Sequence, residues 1–142
     1  MALRDEVHSH QEKTWILCIA ENFVTKPLSP LIDLVDWYNN QLLTKSILGG
    51  QVKLKFGDRT LMATSGLLPV EKILIMGLGN SEQLTTAQGK IFIQDLSQTL
   101  EKLGETNPWV IMAADTPPKF IEEIKKSRTS INSLSQANIS VG

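Results

Sequence analysis

Three continuous apolar runs lie along the chain, at residues 14–20, 72–76 and 109–114. Such runs are typical of strands that are buried on both faces of a sheet. The sequence therefore predicts three interior strands, each followed by a polar or glycine-containing stretch.

Two alternating patterns predict further strands. In residues 51–56 apolar and polar positions alternate strictly, and the turn Gly57-Asp58 connects them to residues 59–64. This arrangement predicts a β-hairpin. A last alternation, at 137–141, predicts an edge strand.

Amphipathic stretches between the strands predict three helices. Their starts carry residues that favour helix N-termini: Ser29 with Pro30, Thr85 or Thr86, and Thr116 with Pro117. Gly49-Gly50 and Gly104 are predicted to end the first two helices. The predicted apolar stripes are Leu31, Ile32, Val35, Tyr38 and Leu42 in the first helix, and Ala87, Ile91, Leu96, Leu100 and Leu103 in the second.

Strands that alternate with amphipathic helices place helices on both faces of one sheet. The hairpin makes that sheet mixed, so the sequence predicts an α/β fold of three α-β-α layers. Residues 1–13 are polar and lack the apolar stretch of a signal peptide. They predict a flexible leader before a single domain at 14–142.

Composition narrows the function by exclusion. The chain has 14 basic and 15 acidic side chains and a net charge of -1, so we expect no nucleic-acid partner, which a broad positive field would attract. No apolar stretch approaches the ~20 residues that span a bilayer, and we expect no membrane association. The single cysteine, Cys18, lies in an apolar run as an inert core thiol would, and this usage predicts a reducing, cytoplasmic location.

Groups that could carry catalysis are sparse. We expect His8 and His10 to be solvated in the leader, without the three or four converging ligands that zinc needs. Ser65 lacks the glycine, two positions earlier, of a nucleophile elbow. Two acidic pairs fall on predicted helix surfaces, where we interpret them as solvated charge: Asp33 with Asp36, and Glu122 with Glu123. The sequence thus predicts no catalytic residue, no metal site and no cofactor.

The segment Gly77-Leu78-Gly79 follows a predicted strand and precedes a helix, as a dinucleotide-binding motif does. That motif requires glycine or alanine where this chain has Glu82, so we interpret the glycines as a tight strand exit. Open α/β sheets bind ligands at the carboxyl ends of their strands. If the chain binds a nucleotide, the predicted ligand-binding residues are Gly77, Gly79 and Asn80.

The first predicted helix carries a candidate interface. Trp37 lies off the apolar stripe and is expected to be partly exposed, beside Tyr38 and one helical turn from Leu34 and Gln41. Interface anchors are enriched in tryptophan and tyrosine. These four residues are the predicted interface.

Residues 65–85 combine a Leu-Pro step, an apolar strand ending in Gly-Leu-Gly, a short polar stretch and a threonine that opens a helix. This pattern resembles the N-terminal domain of the leucyl aminopeptidase (cytosol aminopeptidase) family, and the resemblance covers most of the chain. It implies a macro-domain-like fold. In that family peptide hydrolysis belongs to a separate C-terminal domain with two metal ions, while the N-terminal domain helps subunits meet.

The chain lacks that family's Asn-Thr-Asp-Ala-Glu-Gly-Arg signature, so we expect it not to be an enzyme. The resemblance implies a non-catalytic interaction or oligomerisation module, whose partner is a second copy or a full-length aminopeptidase. The alternative is a macro-like module that binds a nucleotide or ADP-ribose. Related macro domains do so through an Asn-rich loop and a Gly-rich loop, and neither stands out in this sequence.

Overall fold

The structure is a computed structural model and describes residues 3–22 and 29–142. Its helices and strands, in chain order, are α1 (Leu3–Ser9), β1 (Thr14–Ala20), α2 (Pro30–Tyr38), α3 (Leu42–Leu48), β2 (Arg59–Met62), β3 (Lys72–Gly79), α4 (Thr86–Leu103), β4 (Trp109–Met112), α5 (Pro118–Ser127) and β5 (Asn138–Val141). Two 3₁₀ turns, Ser81–Gln83 and Arg128–Ser130, precede α4 and follow α5.

The strands form one five-stranded mixed sheet in the order β2-β3-β1-β4-β5. Strands β3, β1, β4 and β5 run parallel, and β2 is antiparallel to β3. The predicted mixed sheet and the edge strand at its end are therefore confirmed. Because four strands share one direction, their carboxyl ends meet at the same end of the sheet, where open α/β sheets place ligands.

The sheet separates two hydrophobic cores, because alternate side chains of the central strand point to opposite faces. Trp15, Leu17 and Ile19 pack in the core beneath α1, α2 and α3. Ile16 and Cys18 pack in the core beneath α4 and α5. The predicted three-layer arrangement is thus confirmed. Cys18 is fully buried, and burial raises the pKa of its thiol well above the usual range.

The segment predicted as a loosely held leader contains helix α1. Val7 is fully buried and α1 packs against α2. His10, which follows α1, was predicted to be solvated, and this is wrong. Its ring stacks on the Trp109 ring with a centroid distance of 3.5 Å. Glu12 holds the segment further, accepting from His10 Nδ1 at 2.9 Å and from Asn138 Nδ2 at 2.8 Å.

The first predicted helix is divided into α2 and α3. Asn40 and Gln41 adopt positive φ angles of 61° and 56°, which interrupt the helix. The carboxylate of Asp36 accepts from the backbone N–H of Leu43 at 2.9 Å and of Thr44 at 3.3 Å. Asp36 was predicted to be solvated, but it is buried because it provides the acceptors for the first turn of α3.

The predicted hairpin is wrong. Within residues 51–64 only β2 is a strand, and it pairs with β3. Residues 52–58 instead cross the carboxyl end of β3. There Leu54 accepts a hydrogen bond from Gly79 N and Asp58 accepts one from Gly77 N, both at 2.8 Å.

Helix α4 buries a different face from the predicted one in its first half. Its N-cap Thr85 and its ending at Gly104 match the prediction. Ile91, however, is half-exposed, whereas Phe92 and Ile93 are buried against α5 and the sheet. Leu96 and Leu100 are buried as predicted.

Candidate functional site

A cavity of about 190 Å³ lies at the carboxyl end of β3, beside the end of β1 and the first turn of α4. Its lining residues come from four separate parts of the chain and comprise Glu21, Phe56, Leu78, Gly79, Asn80, Gln83, Leu84 and Gln88. The cavity thus occupies the end of the sheet at which the fold gathers its parallel strands.

An irregularity in strand pairing shapes one wall of this cavity. Ile19 pairs with Gly77 and Ala20 pairs with Gly79, so Leu78 is an extra residue in β3. The backbone N–H of Glu21 then donates to Gly79 O at 2.8 Å, which keeps the two strand exits together. Bulges of this kind re-aim the residues beside them, and here both Leu78 and Glu21 line the cavity.

Gly79 is required by its backbone conformation and by its neighbour. Its φ angle of 66° lies in the left-handed region that favours glycine. A Cβ at this position would also lie 3.1 Å from the backbone nitrogen of Phe56. Phe56 can therefore pack directly over the end of β3 and form the opposite wall.

Gly77 lies beside a chain crossing and not in the cavity wall. It is absent from the residues that line the cavity. A Cβ here would lie 2.4 Å from the carbonyl oxygen of Lys55 and 2.7 Å from the carbonyl carbon of Leu54. Gly77 thus admits the crossing segment 52–58, and among the three predicted ligand-binding residues only Gly79 and Asn80 line the cavity.

Asn80 links the cavity to helix α4. Its side-chain oxygen accepts from Glu82 N at 3.0 Å and so caps the 3₁₀ turn. Its amide nitrogen has no hydrogen-bond partner within residues 3–22 and 29–142 and remains available as a donor. Thr85 then caps helix α4, and its hydroxyl oxygen accepts from Gln88 N at 3.3 Å.

The lining combines an apolar floor with neutral polar groups. Leu78 and Leu84 are buried and Phe56 is half-buried, while the amides belong to Asn80, Gln83 and Gln88. Glu21 is the one ionisable side chain among the lining residues, and it is an acid. This wall offers an aromatic face, amide donors and acceptors, and a carboxylate acceptor, a combination that suits a nucleoside better than a phosphate.

Of the four predicted interface residues, Trp37 is exposed on α2, two are half-buried and one lies outside the helix. Trp37 is 62% exposed and its ring meets Tyr38 edge-on at 5.2 Å. Leu34 and Tyr38 are half-buried against the core, and Tyr38 also contacts the His8 ring at 4.8 Å. Gln41 lies in the break between α2 and α3 rather than on the helix.

The described residues, 3–22 and 29–142, contain no group of three or more His, Cys, Asp or Glu side chains that could hold a metal ion. No helix in those residues is both long and apolar enough to cross a membrane.

Comparisons with known proteins identify the fold. No protein-family model matches the chain, and no curated protein matches it. Among solved structures, the macrodomain of Mycobacterium tuberculosis DarG matches with a TM-score of 0.62 and 12% identity, over 95% of this chain and 91% of that one. The fold is macrodomain-like. The macrodomain of Thermus aquaticus DarG also matches, with a TM-score of 0.55, 12% identity and the same coverage of 95% and 91%.

The resemblance to the leucyl aminopeptidase family is therefore wrong. The structural matches are DarG macrodomains, and no family model relates the sequence to aminopeptidases. The interaction module that was predicted from that resemblance, including docking to a full-length aminopeptidase, loses its basis. The macrodomain-like fold that the resemblance implied is nevertheless the fold of the structure, which has a sheet with helices on both faces.

Several lining residues were not predicted from the sequence. Glu21 directly follows a predicted strand, so its place at a carboxyl strand end was a usable signal. Gln88 similarly lies in the first turn after the predicted cap Thr85. Phe56 carried no such signal, because its pattern predicted a hairpin far from the strand ends.

Proposed function

We propose that this protein binds a nucleotide or ADP-ribose at the strand-end cavity lined by Glu21, Phe56, Gly79, Asn80 and Gln88. The observation that supports this most directly is the position of the cavity: it lies at the carboxyl ends of the parallel strands of a macrodomain-like sheet. The earlier alternative, a nucleotide-binding or ADP-ribose-binding module, thus replaces the aminopeptidase-related interpretation.

The cavity would enclose one part of such a ligand. Its volume of about 190 Å³ is below the ~300–1,000 Å³ of typical small-molecule pockets. The apolar floor and the three amides favour the nucleoside part, since a base can stack on Phe56 while amides hydrogen-bond its edge. Glu21 would accept from a ribose hydroxyl, as acidic residues at strand ends do in nucleotide-binding folds.

Phosphate groups would lie outside the cavity, toward the N-terminus of α4. The first N–H groups of an α-helix lack intrahelical acceptors, and this end of the helix attracts anions. Glu82, in the 3₁₀ turn before α4, opposes this attraction. We therefore expect Glu82→Gln to strengthen the binding of a phosphate-bearing ligand at low ionic strength and to leave adenosine binding unchanged.

The test is calorimetric titration with ADP-ribose, AMP, adenosine and ribose 5-phosphate. We expect ADP-ribose to bind, adenosine to compete with it, and ribose 5-phosphate to compete poorly. Asn80→Ala and Gln88→Ala should each weaken binding about two- to tenfold, the value of a hydrogen bond of ~0.5–1.5 kcal/mol. Gln98→Ala, on the same helix but outside the cavity, is the matched control. Binding that is insensitive to Asn80→Ala and Gln88→Ala would place the ligand elsewhere, and a lack of binding to all four compounds would refute the proposal.

We further propose that the site binds without turnover. Glu21 is the one ionisable lining group and is exposed to solvent, so the lining residues include no pair of acid and base of the kind that hydrolysis commonly uses. Incubation of the protein with ADP-ribosylated peptide, followed by chromatography, tests this directly. Release of ADP-ribose by the wild type but not by Glu21→Gln would show an enzyme.

The lone buried thiol of Cys18 is compatible with a reducing, cytoplasmic compartment, which cell fractionation would test.

A further inference from the structure

A second and larger cavity lies between two helices of the domain. This groove, of about 430 Å³, runs between α4 and α5 and shares no lining residue with the strand-end cavity. Its volume falls in the ~300–1,000 Å³ range of small-molecule sites. Apolar contacts come from Ile93 and Ile131, and hydroxyls come from Ser97, Ser127 and Ser130.

A buried carboxylate lines this groove. Glu123 on α5 is only 7% exposed, although acidic residues are seldom buried without a partner. Its Oε1 accepts from the Ser127 hydroxyl at 3.0 Å. Its Oε2 has no hydrogen-bond partner in the described part of the chain and remains accessible to solvent.

No cation of the described residues forms an ion pair with this carboxylate. The ion pairs found among them join His10 with Glu12 and Lys72 with Glu105. Lys90 lines the same groove, but its side chain is exposed and makes no such pair with Glu123. Because Oε2 is accessible from the groove, this largely buried carboxylate has one neutral donor and one open position that a charged donor could fill.

The sequence of α4 keeps Glu123 in this position. A Cβ at Gly89 would lie 3.0 Å from Glu123 Cβ and 3.1 Å from its Cγ, closer than side chains normally pack. Glycine inside a helix costs about 1 kcal/mol relative to alanine, so its presence in the first turns of α4 has a local reason. Without a side chain at Gly89, α5 can bring Glu123 against the backbone of α4 and into the groove.

We propose that the groove between α4 and α5 is a binding site for a small organic cation, with Glu123 as the counter-ion of its alkylammonium or guanidinium group. The free Oε2 would accept the charged donor. The serine hydroxyls around it would accept the remaining N–H groups, and Ile93 and Ile131 would pack against the carbon chain of the ligand. This site is independent of the strand-end cavity and does not rest on the nucleotide-binding proposal.

The experiment is a titration of the ¹⁵N-labelled protein with butylammonium and agmatine, followed by amide chemical shifts. We expect saturable shifts confined to α4, α5 and the adjoining residues 128–131, which together line the groove. The uncharged isostere n-butanol should bind at least about tenfold more weakly, and Glu123→Gln should weaken the cations by a similar factor, since a charge-assisted hydrogen bond is lost. Glu122→Gln, an exposed neighbour on the same helix, should leave the affinity unchanged.

A second variant keeps the test decisive if Glu123→Gln does not fold. Gln94→Arg adds a guanidinium at an exposed groove position on α4, and this internal cation should occupy Glu123 and abolish binding of both probes. Unchanged affinity in Gln94→Arg would overturn the proposal. Chemical-shift changes that appear near surface carboxylates in general and do not saturate would overturn it as well. So would an affinity for n-butanol equal to that for butylammonium.

Discussion

Replacing Gly77 by alanine should destabilise the domain strongly, because the added methyl group meets backbone. The new Cβ would lie 2.4 Å from Lys55 O, and an ordinary contact begins near 3.4 Å, so segment 52–58 must move by about 1 Å (3.4 − 2.4). That movement stretches the bonds Gly77 N–Asp58 O and Gly79 N–Leu54 O, both 2.8 Å long. Two backbone hydrogen bonds at about 1 kcal/mol each and ~1–3 kcal/mol of overpacking give about 3–5 kcal/mol.

Urea denaturation followed by circular dichroism measures this loss. The predicted change is a large part of the ~5–15 kcal/mol stability of a typical domain, and it corresponds to a fall in Tm of roughly 10–20 °C. Gly66→Ala is the control, since a Cβ at Gly66 meets no atom within 4 Å, and its effect should stay within about 0.5 kcal/mol. If Gly77→Ala also loses less than about 1 kcal/mol, the crossing segment does not pack on β3 as the structure has it.

Further predictions concern charged groups away from the cavity. Burial raises the pKa of the Glu12 carboxyl, but hydrogen bonds from Asn138, its own backbone and His10 outweigh burial, so the pKa lies below its ordinary value of 4.5. The carboxylate therefore contributes stability above about pH 4.5, and this stability is lost as the pH falls through the folded-state pKa. In Glu12→Gln the thermal stability should fall less steeply between about pH 5 and pH 3. A slope equal to that of the wild type would contradict this. Asp36→Ala should cost about 2–4 kcal/mol in urea denaturation, because the backbone N–H groups of Leu43 and Thr44 lose their acceptors. Burial and then the charge of Asp36 raise the pKa of Asp33, so Asp33→Asn should be neutral or slightly stabilising at pH 7; a loss comparable to that of Asp36→Ala would show that Asp33 also has a structural partner.

The strands could be predicted where local sequence decides burial. Strands β1, β3 and β4 are covered on both faces, so each is marked by an apolar run that needs no knowledge of its partners. The alternation at 51–56 was also a correct guide to burial: Val52 and Leu54 are buried and Lys53 and Lys55 are exposed. It did not reveal the hydrogen-bonding partner, because an extended segment that packs on the end of a sheet alternates just as a hairpin strand does.

The remaining errors have long-range causes. The break between α2 and α3 depends on the Asp36 carboxylate, which reaches seven residues ahead to Leu43, and no helical periodicity reports such a cap. The helix α1 was not predicted, because a seven-residue helix whose buried anchor is Val7 is too short to give a clear amphipathic pattern. Gly79 and Asn80 could be predicted at the candidate site because they end a strand. Phe56 could not, because it reaches the cavity only through the crossing segment 52–58, for which Gly77 leaves room.

The thiol of Cys18 can report the opening of the core between the sheet and helices α4 and α5. It lies on the central strand with neighbours on both sides, paired with Met76 in β3 and with Met112 in β4, and it is the single cysteine of the chain. Its side chain points into the core beneath α4 and α5, so a thiol reagent can react only after those helices have moved away from the sheet. The rate of labelling of the unmodified protein then measures that opening under native conditions. Ligands of the strand-end cavity and of the groove between α4 and α5 could be compared by how much each slows that single reaction.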